Sequence, residues 1–178
     1  MQRHPAVSGQ FYPGDPAELR EMLNEFMPAP EFLHEPFGII SPHAGYPYSG
    51  AIAGKTFSQV KVPERAIILG PNHHGYGHPW AVYPHGCWLT PLGECSIDEE
   101  LVSKILEGCP GTGEDKIAHK YEHSLEVQLP FLQILSPKLK IVPICLGGGG
   151  LQNLLEFGKN LGRVIKDYPQ STLMVASS

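Results

Sequence analysis

The sequence predicts an α/β fold with a mostly parallel central sheet, and three observations carry that expectation. Short unbroken apolar runs recur at 37–41, 66–69, 140–146 and 172–176, each the length of a strand buried on both faces. Stretches with helical periodicity separate several of them. Strand and helix patterns that alternate along a chain indicate βαβ units and a parallel sheet.

The first helix is announced by Gly14-Asp15-Pro16-Ala17-Glu18. Asp15 suits the cap, Pro16 the first helical position, and Glu18 stands where a capping box places its acid. Leu19, Met22, Leu23 and Phe26 follow as an amphipathic stripe, which ends near Met27 ahead of Pro28 and Pro30. Residues 37–41 form the first strand, and the Ala/Gly-rich stretch from Ser49 to about Phe57 the next helix. Residues 66–69 complete a βαβ unit.

From Ala81 to Cys95 short β-like pieces alternate with turn residues, the pattern of a hairpin excursion. Ser96 to Glu99 reads as a second capping box, with Leu101, Val102, Ile105 and Leu106 as the apolar face behind it. A helix over 123–135 places Leu125, Leu129 and Leu132 in the core, with a kink expected at Pro130. Lys140–Leu146 is a strand running into Gly147–Gly150. This glycine run lacks the Lys-Ser/Thr of a phosphate-binding loop and reads as a turn. Leu151–Asp167 is a helix with Leu154, Leu155, Phe157, Leu161 and Ile165 as its apolar set, and Thr172–Ala176 is the fourth strand. There is no internal repeat and no linker.

The 178 residues suit one compact domain. With 42% hydrophobic and 17% charged residues, the composition is that of a folded soluble protein. A net charge of −5 without a Lys/Arg cluster argues against nucleic acid as a partner. No apolar run reaches the roughly 20 residues of a membrane span, and the first residues lack the apolar stretch of a signal peptide. Cys87, Cys95, Cys109 and Cys145 have no CxxC spacing and read as small buried hydrophobes. A cytoplasmic location is expected.

Chemistry concentrates in two turns. His43 follows the strand at 37–41 and His73 follows the strand at 66–69, each after a Pro/Gly turn. Ligands of open α/β sheets bind outside the carboxyl ends of the strands. Either imidazole alone could serve to hydrogen-bond local backbone; two at successive strand ends favour a shared metal ion, with rings less than about 8 Å apart. Neutral imidazole suits Fe, Zn, Cu and Ni, so the residues do not select the metal. His74 should point away from its neighbour's target, leaving it a structural or substrate-contacting place. His119, Glu122 and His123 are further candidates; Glu122 and His123 precede a helix, where a carboxylate serves the helix dipole or orients a metal-bound histidine. Tyr46 and Tyr48 flank Pro47, so one should pack while the other faces the site.

Five segments together resemble the Memo family: RHPAVSGQFYP at 3–13, PHAGYPYSG at 42–50, LGPNHHG at 69–75, TPLG at 90–93 and EHSLEVQLPF at 122–131. The resemblance covers nearly the whole chain. It implies a three-layer α/β/α sandwich like that of the class III extradiol dioxygenases, with non-haem Fe(II). It also implies His43 and His73 as metal ligands, with Phe11 and Tyr48 lining the same pocket. His123 and Tyr48 then take catalytic roles, while Phe11, Tyr48, His74 and Glu122 contact a small aromatic or phenolic substrate. AMMECR-type and radical-SAM proteins are the partners the resemblance suggests. Family members continue past the Ser-Ser pair, which makes residues 1–178 a single domain lacking its C-terminal third and places a further ligand and a base beyond Ser178. Two other readings use the same cleft: a peptide- or phosphopeptide-binding module without turnover, and a zinc hydrolase.

Overall fold

A computed structural model describes residues 2–178. The strands are β1 (Gln2–Arg3), β2 (Gly38–Ser41), β3 (Arg65–Pro71), β4 (Trp80–Val82), β5 (Cys87–Thr90), β6 (Gly93–Ile97), β7 (Gly113–Glu114), β8 (Lys140–Leu146) and β9 (Leu173–Ser177). The helices are α1 (Pro16–Phe26), α2 (Tyr46–Ser58), α3 (Glu99–Gly108), α4 (Leu129–Leu135) and α5 (Leu151–Asp167), with a 3-10 turn over Glu126–Gln128. The sheet runs β1-β5-β6-β8-β3-β9-β2, and its β8-β3-β9-β2 half is wholly parallel. Helices α1, α2 and α4 pack together, as do α3 and α5, giving the expected three-layer α/β/α sandwich.

The four apolar runs become β2, β3, β8 and β9. Ile67, Ile68, Val142, Ile144 and Val175 of β3, β8 and β9 are fully buried, as strands covered on both faces require. The run 37–41 is not such a strand: β2 lies at the sheet edge, and Phe37 and Ile40 are exposed. Asp15 caps α1 by accepting from Ala17 N at 2.8 Å and Glu18 N at 3.0 Å. Between α1 and α2 only glycine fits at position 54, where an added Cβ would stand 2.4 Å from the carbonyl oxygen of Phe26.

Several local expectations are corrected. Helix α2 starts at Tyr46, three residues before Ser49, because Pro47 is accommodated in its first turn. The cap of α3 is Asp98, whose carboxylate accepts from Leu101 N, since Ser96 is committed to the β6 ladder. Pro130 opens α4 instead of kinking a longer helix; its missing N–H falls where the first turn has no acceptor to offer. In α5 the buried stripe is Phe157, Leu161 and Ile165, while Leu155 faces outward and Leu154 is half-buried. The hairpin excursion is the antiparallel pair β5–β6, but β4 leaves it to pair antiparallel with β8.

One buried ion pair ties the N-terminal segment to the domain. Arg3 Nη1 and Glu126 Oε2 lie 2.7 Å apart, both side chains almost fully enclosed. Arg3 also donates to the carbonyls of His119 and Glu122, both at 2.8 Å, and its guanidinium lies 3.9 Å above the Trp88 ring. Glu126 additionally accepts from Ala6 N, Val7 N and the Tyr12 hydroxyl. Its carboxylate is therefore fully engaged, the condition under which a buried charge is tolerated.

Candidate metal centre

The parallel strands set the geometry. β9 lies between β2 and β3, with Ser41 of β2 in register with Ser177 and Leu69 of β3 in register with Ala176. His43 follows the end of β2 by two residues and His73 the end of β3 by two. The two turns therefore flank the carboxyl end of β9 and lean over it, which brings the ring centroids to 5.2 Å. This lies well inside the separation expected for a shared ion.

A third imidazole joins them. His123 stacks on His73 with centroids 4.5 Å apart and lies 5.7 Å from His43. One nitrogen from each of the three rings lies within 4.8 Å of the others. Nitrogens bound to one ion at about 2.0–2.1 Å stand roughly 3.3–3.5 Å apart, so sharing an ion would require the rings to close in. The further donor expected beyond Ser178 thus has a candidate within the chain. The segment carrying His123 is held by the Arg3 contacts to the His119 and Glu122 carbonyls. Phe11, on the N-terminal segment anchored by Glu126, lays its ring 4.9 Å from that of His123.

Glu122 is fully buried beneath the cluster. Its carboxylate accepts from His73 N at 2.8 Å, His73 Nδ1 at 2.9 Å and Ser124 N at 2.8 Å. Burial alone would raise its pKa; these hydrogen bonds outweigh burial and bring it down to about 2. An ionised carboxylate only accepts, so His73 carries a proton on Nδ1, which leaves Nε2 as the nitrogen that a metal ion could reach. Glu122 therefore fixes the orientation of the His73 ring. Burial lowers the pKa of His43, and the His73 ring lowers it further. Burial also lowers that of His123. Both rings are neutral at neutral pH, the form that binds metal.

The other candidates sit elsewhere. His74 is exposed, bonds the Tyr121 carbonyl through Nε2 at 3.0 Å and stacks on Tyr76. Tyr46 packs inward and donates to the Val127 carbonyl, whereas Tyr48 stands on the first turn of α2, 88% exposed, with no ring contact to the three imidazoles. All four cysteines are buried. Grooves of about 610 and 560 Å³ open elsewhere on the surface and include none of the three clustered histidines.

His119 is a core residue. Its Nε2 donates to the Ala81 carbonyl at 3.2 Å, and Nδ1 lies 3.3 Å from Cys145 Sγ. Burial, aided by the Arg3 charge, pushes its pKa down to about 3. The unfolded chain takes up this proton near pH 6.5 and the folded chain does not, so stability present above that pH is lost as pH falls toward 3. We expect the free energy of unfolding to drop by roughly 2 kcal/mol or more between pH 7 and pH 5. Urea titrations at the two pH values measure it, and equal stabilities would contradict a neutral buried imidazole.

Comparison with known proteins agrees with the resemblance. The family model described as "Memo-like protein" matches residues 3–178. A MEMO1 family protein of Archaeoglobus fulgidus is 46% identical over 99% of this chain and 66% of its own length. Those of Methanopyrus kandleri and Aquifex aeolicus are 40% and 43% identical, over 100% and 99% of this chain and 68% and 66% of theirs. The chain thus spans about two-thirds of the length of these relatives. No described helix is long and apolar enough to cross a membrane. On the family match and these identities, the chain belongs to the Memo family.

Proposed function

We propose that His43, His73 and His123 hold one transition-metal ion and that the chain carries the metal-binding half of an oxidoreductase site for a small aromatic or phenolic substrate. The observation that supports this most is the convergence of three imidazoles, one of them bonded through Nδ1 to a buried carboxylate. Three donors leave coordination positions open for substrate and oxidant. Fe(II) is the preferred ion, with Zn and Cu as alternatives, and bound Fe(II) would supply one-electron chemistry toward dioxygen. The chain's own residues bind and orient: Glu122 fixes His73, and the Phe11 ring walls one side of His123. Partners of the AMMECR and radical-SAM types and a cytoplasmic setting belong to the same proposal.

A second reading is favoured by the donor set itself. Glu122 is engaged by His73 and Ser124, so the available ligands are three histidines without a carboxylate. Such a set also suits hydrolytic zinc. Anaerobic loading with Fe(II) or Zn(II), followed by metal analysis, tests both. We expect one ion per chain and a rise in thermal stability of about 2.7 kcal/mol at a metal concentration 100 times Kd. His123→Ala should abolish stoichiometric binding. Oxygen consumption with phenolic substrates supports the first reading, and ester or amide turnover with zinc the second. A chain that takes up no metal overturns both, and retention of a peptide in the presence of chelator would support the binding-module reading instead.

A further inference from the structure

Behind His43 lies a second set of hydrogen bonds, made by Ser177 and by Gln128 of the 122–131 segment, to neither of which the sequence reading gave a role. Ser177 closes β9 directly under the histidines, and its hydroxyl oxygen has three polar neighbours. These are the Ser124 carbonyl at 2.7 Å, Gln128 Nε2 at 2.9 Å and His43 Nδ1 at 3.2 Å. A hydroxyl has one proton to give. The Ser124 carbonyl only accepts, and two oxygens 2.7 Å apart require a proton between them, so the hydroxyl proton lies there. Gln128 donates into one lone pair of Ser177. What remains for His43 is the other lone pair, and Nδ1 must therefore carry a hydrogen.

The orientation of Gln128 is fixed in the same way. Its Nε2 also donates to the Pro42 carbonyl at 3.1 Å. Turning the amide over would set its oxygen against that carbonyl oxygen. The fully buried side chain holds this pose although its Oε1 has no hydrogen-bond partner. Buried unpaired acceptors are uncommon and persist where a local cost serves a site.

We propose that Gln128 and Ser177 are positioning residues that hold His43 in its Nδ1–H tautomer and so keep the lone pair on Nε2 for a metal ion. The proposal rests on the metal-site reading for its consequence, but the tautomer itself is a property of the metal-free chain. Ser124 joins the two supports: its N–H donates to the carboxylate that fixes His73, and its carbonyl receives the hydroxyl that fixes His43. Both imidazoles are thereby held in one tautomer from a single backbone residue.

The test compares the unmodified chain with Ser177→Ala, Ser177→Thr and Gln128→Met. Long-range proton–nitrogen NMR on the metal-free protein reads the tautomer of His43, and Co(II) titration reads affinity. The unmodified chain should show Nδ1–H at His43. Ser177→Ala and Gln128→Met should move it toward the Nε2–H form and weaken Co(II) binding about 10–100-fold, the usual size of an outer-shell effect. Ser177→Thr, which keeps the hydroxyl, should restore both. A merely structural role would lower the melting temperature without moving the tautomer. If Co(II) binds and the variants keep both tautomer and affinity, the positioning role is wrong and the metal reading stands. If no variant binds Co(II), nor does the unmodified chain, the metal reading fails. The NMR result then still decides whether the two residues fix the tautomer.

Discussion

Glu126→Ala is expected to destabilise the chain by about 3–5 kcal/mol, the loss seen when one member of a buried ion pair is removed. The variant leaves the Arg3 guanidinium enclosed without its carboxylate and strips the acceptor from Ala6 N, Val7 N and the Tyr12 hydroxyl. Glu126→Gln, which keeps an acceptor but not the charge, should fall between. By contrast, removing the exposed Lys61–Glu35 pair should leave stability unchanged within error. Denaturant unfolding measures all three, and a loss below about 1 kcal/mol for Glu126→Ala would mean that the pair is not a structural hub. Because this hub anchors the segment carrying Phe11, that variant should also free the ring from His123.

Glu122→Ala should damage both folding and metal affinity. It leaves His73 N and Ser124 N without their acceptor in a buried setting and releases the His73 ring from one tautomer. Unpaired buried groups cost about 1–3 kcal/mol each, and loss of an outer-shell carboxylate about 10–100-fold in metal affinity. The sign with pH follows from a carboxyl held down at about 2. Its contribution is present above the unfolded value near 4.5 and is lost as pH falls toward 2. The gap between the variant and the unmodified chain should therefore be wide at pH 7 and narrow below pH 3. A constant gap would show that the charge of Glu122 plays no part.

Much of the sheet was legible because β3, β8 and β9 are continuous apolar runs, the plainest mark of buried parallel strands, while β2 has the same apolar run at an exposed sheet edge. β1 and β7 escaped because two residues carry no periodicity, and β4 was read as part of the hairpin excursion because only its pairing with β8 and β7 sets it apart. Ser96 and Asp98 compete for one cap, and the winner depends on where β6 stops. At the site, His43 and His73 were readable from their places after strands. The approach of His123 was not, since its segment is held by Arg3, more than a hundred residues away. Gln128 lies in a recognised segment and Ser177 in the Ser-Ser pair, but residue type alone gave neither a role. They meet only in the folded chain, where Gln128 donates to the Ser177 hydroxyl and that hydroxyl donates to the Ser124 carbonyl.

The insertion of β9 between β2 and β3 has a consequence for how the chain comes into being. A growing polypeptide completes the strands that carry His43 and His73 long before it reaches Leu173–Ser177. Until that late strand arrives, the two early strands have no neighbour between them to set their spacing, and the hydroxyl beneath His43 does not yet exist. Pairings so distant in sequence form slowly compared with local structure. The three rings therefore converge only after β9 has paired: before that, a nascent chain would display its imidazoles singly, and the strand laid between β2 and β3 is what gathers them.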